Sequence, residues 1–119
     1  MIRAIRGAIT IENDTVEELK NATVELLSRI VKENSLNTEN FIHVDFSVTE
    51  DVKSSTPAKF ARTELGWHTV PLMCYREFEF DGGLKKCIRV LIVTESDKSQ
   101  KEIKHLYLRG AEILRPDLK

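Results

Sequence analysis

The chain has 119 residues, 41% of them hydrophobic and 31% charged, which suits one soluble domain, residues 1–119, around one core. Its 18 Lys and Arg against 19 Asp and Glu leave a net charge of −1. No basic excess therefore points to nucleic acid or to an anionic membrane surface, although a small anion answers to local arginines alone. No apolar run approaches the roughly 20 residues that cross a bilayer, and "MIRAIRGAIT" is too charged and too short for a secretory signal.

Residues 2–10 alternate, with Ile2, Ala4, Arg6 and Ala8 on one face and Arg3, Ile5, Gly7 and Ile9 on the other, which is strand periodicity. Thr15, with Glu18 three residues on, reads as a capping box that opens a helix. Its apolar stripe runs through Val16, Leu19, Ala22, Leu26, Leu27, Ile30 and Val31, and the turn residues of "ENSLNTEN" end it near Asn34. "FIHVDFSVT" alternates again, with Ile42, Val44, Phe46 and Val48 on one face and His43, Asp45 and Ser47 on the other, as in a half-buried strand. In "SSTPAKFARTELGW", Ser55 or Thr56 caps a short helix, Pro57 fills its first turn and Gly66 ends it. A strand is expected from about Val70 to Phe80, then the turn "DGGL", then an apolar strand from Cys87 to Val93. Ser99 with Glu102 starts a further helix through Ile103, Leu106 and Tyr107, and "AEIL" is expected to form a last short strand. The order β-α-β-α-β-β-α-β predicts an α+β fold, a mixed sheet with helices on one face. A sheet covered on one face alone must hide its edges, often by assembling with copies of itself.

Arg89 alone breaks the apolar run "CIRVLIV". A guanidinium buried in apolar surroundings costs several kcal/mol without an anionic partner. The strands flanking "DGG" are consecutive, so the expected pairing is an antiparallel hairpin. A two-residue loop sets Glu77 against Ile88. A three-residue loop, or one bulge, sets Glu77 against Arg89, about 5 Å away at Cβ. The second register gives the buried arginine a carboxylate and is preferred. A purely structural ion pair is the plain alternative, yet apolar replacements of such pairs are often as stable. Arg6 also shares a small, apolar face, so two buried arginines against one carboxylate leave a positive surplus. An arginine fork matches a carboxylate bidentately, which points to a small carboxylic acid as ligand.

Other chemistry is poorly supported. His43, His68 and His105 are scattered, and Cys74 and Cys87 lack CxxC or other metal-type spacing. Both cysteines read as reduced thiols in a cytoplasmic protein. The "GG" before "KK" lacks the helix that a phosphate loop needs. Cys74 has no evident base nearby and reads as a small core hydrophobe.

Four stretches, "IRAIRGAITIENDT", "TPAKFARTELGW", "GGLKKCIRVLI" and "HLYLRGAEILRPDL", together resemble the monofunctional AroH-class chorismate mutases over essentially the whole chain. The resemblance implies a barrel-like homotrimer with active sites between subunits, converting chorismate to prephenate on the route to phenylalanine and tyrosine. It implies no cofactor and no metal. By the same resemblance, Arg6 binds the carboxylate of the enolpyruvyl side chain and Tyr107 hydrogen-bonds it. Arg89 reaches the ether oxygen of the breaking bond, and Glu77 meets the ring hydroxyl. Met73, Cys74, Tyr75, Arg76 and Glu77 line the site as a strand. Ala58, Lys59 and Arg62 of the neighbouring subunit lie near its mouth, and Leu114 and Arg115 lie beside it. Thr56, Leu72 and Met73 depart from the family pattern, and the chain stops at Lys119, so a long tail over the site is expected to be absent or brief. The rival expectations are a trimeric imine or enamine deaminase of similar architecture and a non-catalytic small-carboxylate-binding module.

Overall fold

The structure is a computed structural model that describes residues 1–118; the expectation about the end of the chain at Lys119 lies outside them. Strands β1 (Ile2–Thr10), β2 (Phe41–Val48), β3 (Leu72–Arg76), β4 (Cys87–Glu95) and β5 (Leu106–Leu108) form one mixed sheet in the order β3-β2-β4-β1-β5. Helices α1 (Val16–Glu33) and α2 (Pro57–Leu65) accompany it. β4 is antiparallel to both of its neighbours, β1 and β2, whereas the edge strands β3 and β5 run parallel to theirs.

One face of the sheet is the core. Ile5, Ile9, Val44, Phe46, Ile88, Val90 and Ile92 pack in one buried cluster with Leu19, Leu26, Leu27 and Ile30 of α1 and Phe60 and Ala61 of α2. Each of the larger side chains among them contributes about 1.5–3 kcal/mol by leaving water. Gly7 permits the close approach of α1, since a Cβ there would lie 2.7 Å from Ile30 Cδ1 and 3.1 Å from the Leu106 carbonyl oxygen. The helix ends follow local chemistry. The Thr15 hydroxyl accepts the Glu18 N–H at 3.1 Å, and Thr56, not Ser55, caps α2 ahead of Pro57. Gly66, at φ 72°, turns the chain out of α2. The Glu18 carboxylate departs from a capping box, accepting the N–H groups of Glu12 and Asn13 upstream of the cap.

Three further expectations fail. The strand expected over 70–80 is only Leu72–Arg76, and it pairs in parallel with β2 instead of forming a hairpin with β4. Both edges of β4 are already taken, because the most apolar strand gains most from the centre of the sheet. Residues 77–86 instead make a long turn with left-handed Gly82 (φ 82°) and Lys86 (φ 46°). The helix expected from Ser99 shrinks to one 3₁₀ turn, Gln100–Glu102, and Leu106 and Tyr107 enter β5. Asn34, buried at the end of α1, decides this. Its amide donates to the Lys104 carbonyl (2.9 Å) and its carbonyl accepts the Lys104 N–H (2.8 Å), engaging the backbone as a neighbouring strand would. Finally, "AEIL" lies in a 3₁₀ segment, Arg109–Leu114, entered through left-handed Arg109 (φ 54°).

Asn34→Ala strands both polar groups of Lys104 and is expected to cost about 1–3 kcal/mol. Urea unfolding at fixed protein concentration measures the loss as a lowered midpoint.

Candidate active site

The other face of the sheet carries a polar row. Pairing sets Tyr75 beside Ser47, Ser47 beside Arg89, Arg89 beside Ala8, and Ala8 beside Tyr107, so these five residues share a face across all five strands. Glu77 follows the last residue of β3, and its N–H donates to the Val48 carbonyl at 2.7 Å. From there its carboxylate accepts the Ser47 hydroxyl at 2.6 Å and reaches Arg89 Nε at 3.4 Å. The Glu77–Arg89 pairing expected from the sequence is therefore present, but it spans β2 through Ser47 and does not arise across a hairpin.

The two arginines are less enclosed than expected. Arg6 is exposed and the Arg89 side chain is 38% exposed, because no element of the same chain covers the middle of this face. Within Arg89, Nε is shielded from solvent, yet it makes no well-aligned hydrogen bond. The carboxylate is thus close enough to attract the cation without saturating it. Glu77, Cys87 and Arg89 line a cleft of about 720 Å³ together with Thr49, Glu50, Asp51, Lys53 and residues 78–85.

Beneath Arg89, Cys87 packs with Ala8 and Ala111, and Leu84, Tyr107 and Leu114 cover them. Burial pushes the Cys87 thiol up to about 11, with Arg89 opposing the shift and Glu77 adding to it. Arg6 lies two residues along β1 from Ala8, and its N–H donates to His105 Nδ1 at 3.0 Å. Burial first, then the charges of Arg6 and Arg115, lower the pKa of His105, which favours the neutral ring that this bond requires. Arg115 binds Asp117 through two hydrogen bonds, at 3.1 and 2.9 Å.

A second group of the expected residues sits elsewhere, at the β3 edge. Cys74 is exposed there, yet its thiol rests against the start of α2, and this burial raises its pKa. The Ala58 backbone, the Arg62 charge and the Thr56 hydroxyl oppose the rise, which puts Ala58 and Arg62 on this side of the protomer. Lys59 is exposed beside Phe60, with Nζ 5.9 Å from its ring centroid. Met73 and Tyr75 are exposed, and the Tyr75 hydroxyl donates to Asp45 at 3.4 Å. Leu72 instead packs against the core. Arg76 is committed within its own chain, since Nη1 donates to the carbonyls of Thr49 (2.6 Å) and Val52 (3.1 Å). Among the described residues, no cluster of three or more His, Cys, Asp or Glu could hold a metal ion, and no helix is long and apolar enough to cross a membrane.

Sequence reasoning missed Ser47, Thr49 and Asp51. Ser47 was visible only as a polar position on an alternating strand. Apart from the bond between them, the two loop residues meet backbone groups of a distant segment, so the sequence carried no signal of the site. With its pKa near 11, Cys87 is expected to resist a disulfide reagent at pH 8, where about one thiol in a thousand would be ionised. Counting reactive thiols before and after denaturation checks this.

The model of the family "Chorismate mutase type I" matches residues 2–118. The chain is 45% identical over 118 residues to chorismate mutase AroH of Bacillus subtilis (strain 168), covering 99% of this chain and 93% of that one. It is 46% identical over 119 residues to chorismate mutase AroH of Thermus thermophilus, covering 99% of this chain and 97% of that one. The solved structure of a chorismate mutase from Clostridium thermocellum superposes with a TM-score of 0.90 at 40% identity, covering 93% of this chain and 98% of that one.

Proposed function

We propose that this chain, which belongs to the chorismate mutase type I family, isomerises chorismate to prephenate by a concerted pericyclic rearrangement, on the route to phenylalanine and tyrosine. The observation that carries the mechanism is the arginine of the central strand, Arg89. It is held at 3.4 Å by Glu77 in the wall of an open cleft, with its bonding capacity unsaturated.

The reaction breaks the ether C–O bond while a C–C bond forms, with no proton transfer and no covalent adduct to the protein. Two tasks fall to the enzyme. It must hold the substrate in its compact, diaxial form, which is positioning. It must also stabilise the negative charge that grows on the ether oxygen, which is preorganised electrostatics. In this assignment Arg89 meets the ether oxygen and Glu77 the ring hydroxyl. Arg6 and Tyr107, from neighbouring strands, take the side-chain carboxylate. Met73 to Glu77 form the wall, with Arg76 contributing through its backbone because its side chain holds the loop. Leu114 and Arg115 close the C-terminal side. A cation aimed where charge develops gains more in the transition state than in the ground state, and that difference is catalysis.

The assembly assigned is a homotrimer in the cytoplasm, with each site shared between two subunits. Two features support sharing. Ala58, Lys59, Arg62 and Cys74 lie at the β3 edge, whereas Arg6, Arg89 and Tyr107 occupy the open face, so one subunit offers two halves of a pocket on different surfaces. The edge also exposes Met73 and Tyr75, and the turn after it exposes Phe78 and Phe80; an unpaired strand edge beside apolar side chains calls for cover.

Chorismate consumption, followed by its ultraviolet absorbance with prephenate identified chemically, tests the assignment; a rate no faster than the spontaneous one refutes it. Binding without turnover would select a carboxylate-binding module, and release of ammonia from an imine would select a deaminase. Arg89→Lys is expected to fold and to lose about 10²–10³-fold or more in kcat, because lysine lacks the planar fork. Turnover near that of the wild type would remove Arg89 from its electrostatic role. Arg6→Ala is expected mainly to raise KM, and a light-scattering mass three times the 13.6 kDa of one chain checks the trimer.

A further inference from the structure

Arg89 is only as well aimed as the start of β4, and that start is gripped by the loop that leaves β2. The Asp51 carboxylate accepts the Lys86 N–H with both oxygens, at 3.0 and 3.1 Å, and the Thr49 hydroxyl at 2.6 Å. The Thr49 hydroxyl oxygen in turn accepts the Cys87 N–H at 3.0 Å, and the Thr49 N–H donates to the Cys87 carbonyl at 3.1 Å. Arg89 follows two residues later. Lys86 is left-handed, at φ 46°, a conformation unfavourable for a residue with a side chain unless its surroundings impose it. Asp51 imposes it from one side, while the Ile11 N–H donates to the Lys86 carbonyl at 2.9 Å from the other.

We propose that Asp51 is a positioning residue for the rearrangement: with Thr49 it locks Lys86 and Cys87 and so sets the aim of Arg89, a role that rests on the chorismate mutase assignment. The same loop steers Glu77, the other half of the pair. Arg76, the residue before it, donates to the Thr49 and Val52 carbonyls on either side of Asp51. The loop is itself moored, because the Asp14 carboxylate accepts the N–H groups of Lys53 (2.8 Å) and Ser54 (3.1 Å). Partial burial opposes ionisation of Asp51, but the Thr49 hydroxyl, the Lys86 N–H and the Lys86 charge outweigh it and keep its pKa below the ordinary value. A carboxylate suits the position because every group that meets it is a donor. An amide would turn one donor toward either Lys86 N–H or Thr49 and break part of the chain of bonds.

The test uses the intact protein and three variants, Asp51→Asn, Lys86→Gly and the double variant. Asp51→Asn is expected to lower kcat about tenfold to a hundredfold, the scale of a small misplacement of a catalytic group. KM should stay within about threefold, as for an interaction made in the transition state. Amide exchange at Lys86 and Cys87 should quicken in the same variant. Lys86→Gly alone should keep the wild-type kcat. In the double variant it should restore most of the loss, because glycine adopts the left-handed conformation without help. A folded Asp51→Asn protein with wild-type kcat overturns the proposal, as does a loss that the glycine leaves untouched. A purely stabilising role would lower the urea midpoint while kcat per folded site stayed constant, which also overturns it. Wild-type protein without chorismate turnover overturns the underlying assignment, and needs no variant to show it.

Discussion

The open face of the sheet is organised by the contact between Arg89 and Glu77, and its asymmetry matters. Arg89 stands on β4, which is hydrogen-bonded on both sides, so its backbone has little freedom. Glu77 stands just past the end of an edge strand, tied by one backbone bond and by the Ser47 hydroxyl. A rigid cation with a more adjustable counter-ion is what electrostatic catalysis of a charge-separating step asks for, since the cation must not reorganise as the transition state forms. The loose geometry at 3.4 Å serves the same end. A saturated bidentate pair would present little uncompensated donor capacity to a substrate oxygen.

The two faces of the sheet divide the work. The helix-covered face carries the apolar cluster that stabilises the fold. Small and polar residues, Ala8, Ser47 and Ala4 among them, dominate the central strands of the other. Small side chains there leave the backbone of that face open to close approach. The pocket residues thus contribute little to the core, and in the single subunit part of the Arg89 side chain stays in water although its Nε does not.

Local chemistry was legible in the sequence, and long-range competition was not. Strand alternation in β1 and β2 and the caps at Thr15, Thr56 and Gly66 each depend on a few neighbouring residues. The hairpin failed because β4 had a choice of partners, and sequence adjacency loses to the burial that two central neighbours provide. The C-terminal helix failed because Asn34, 70 residues away from Lys104, claims the backbone there. Periodicity set Arg6 and Arg89 each among small or apolar neighbours but could not say that pairing brings both to one face, or that this face is uncovered. The Glu77–Arg89 contact forms across β2, not through the hairpin register that adjacency suggests. Ser47 and Asp51 act through distant partners that no local pattern announces.

The exposure of Arg89 has a further consequence under the trimeric assignment. In one subunit its side chain is 38% exposed, and water screens its field toward the cleft. A neighbouring subunit laid over the same face, with substrate between them, would exclude that water and lower the local dielectric. The same guanidinium would then act more strongly on an oxygen gaining negative charge, with no change in its position. Glu77 would keep the cation from being stranded if the face were so closed, because an uncompensated buried charge is heavily destabilising. Subunit assembly would therefore complete the pocket in two senses, supplying the missing wall and the low-dielectric surroundings in which one arginine is sufficient.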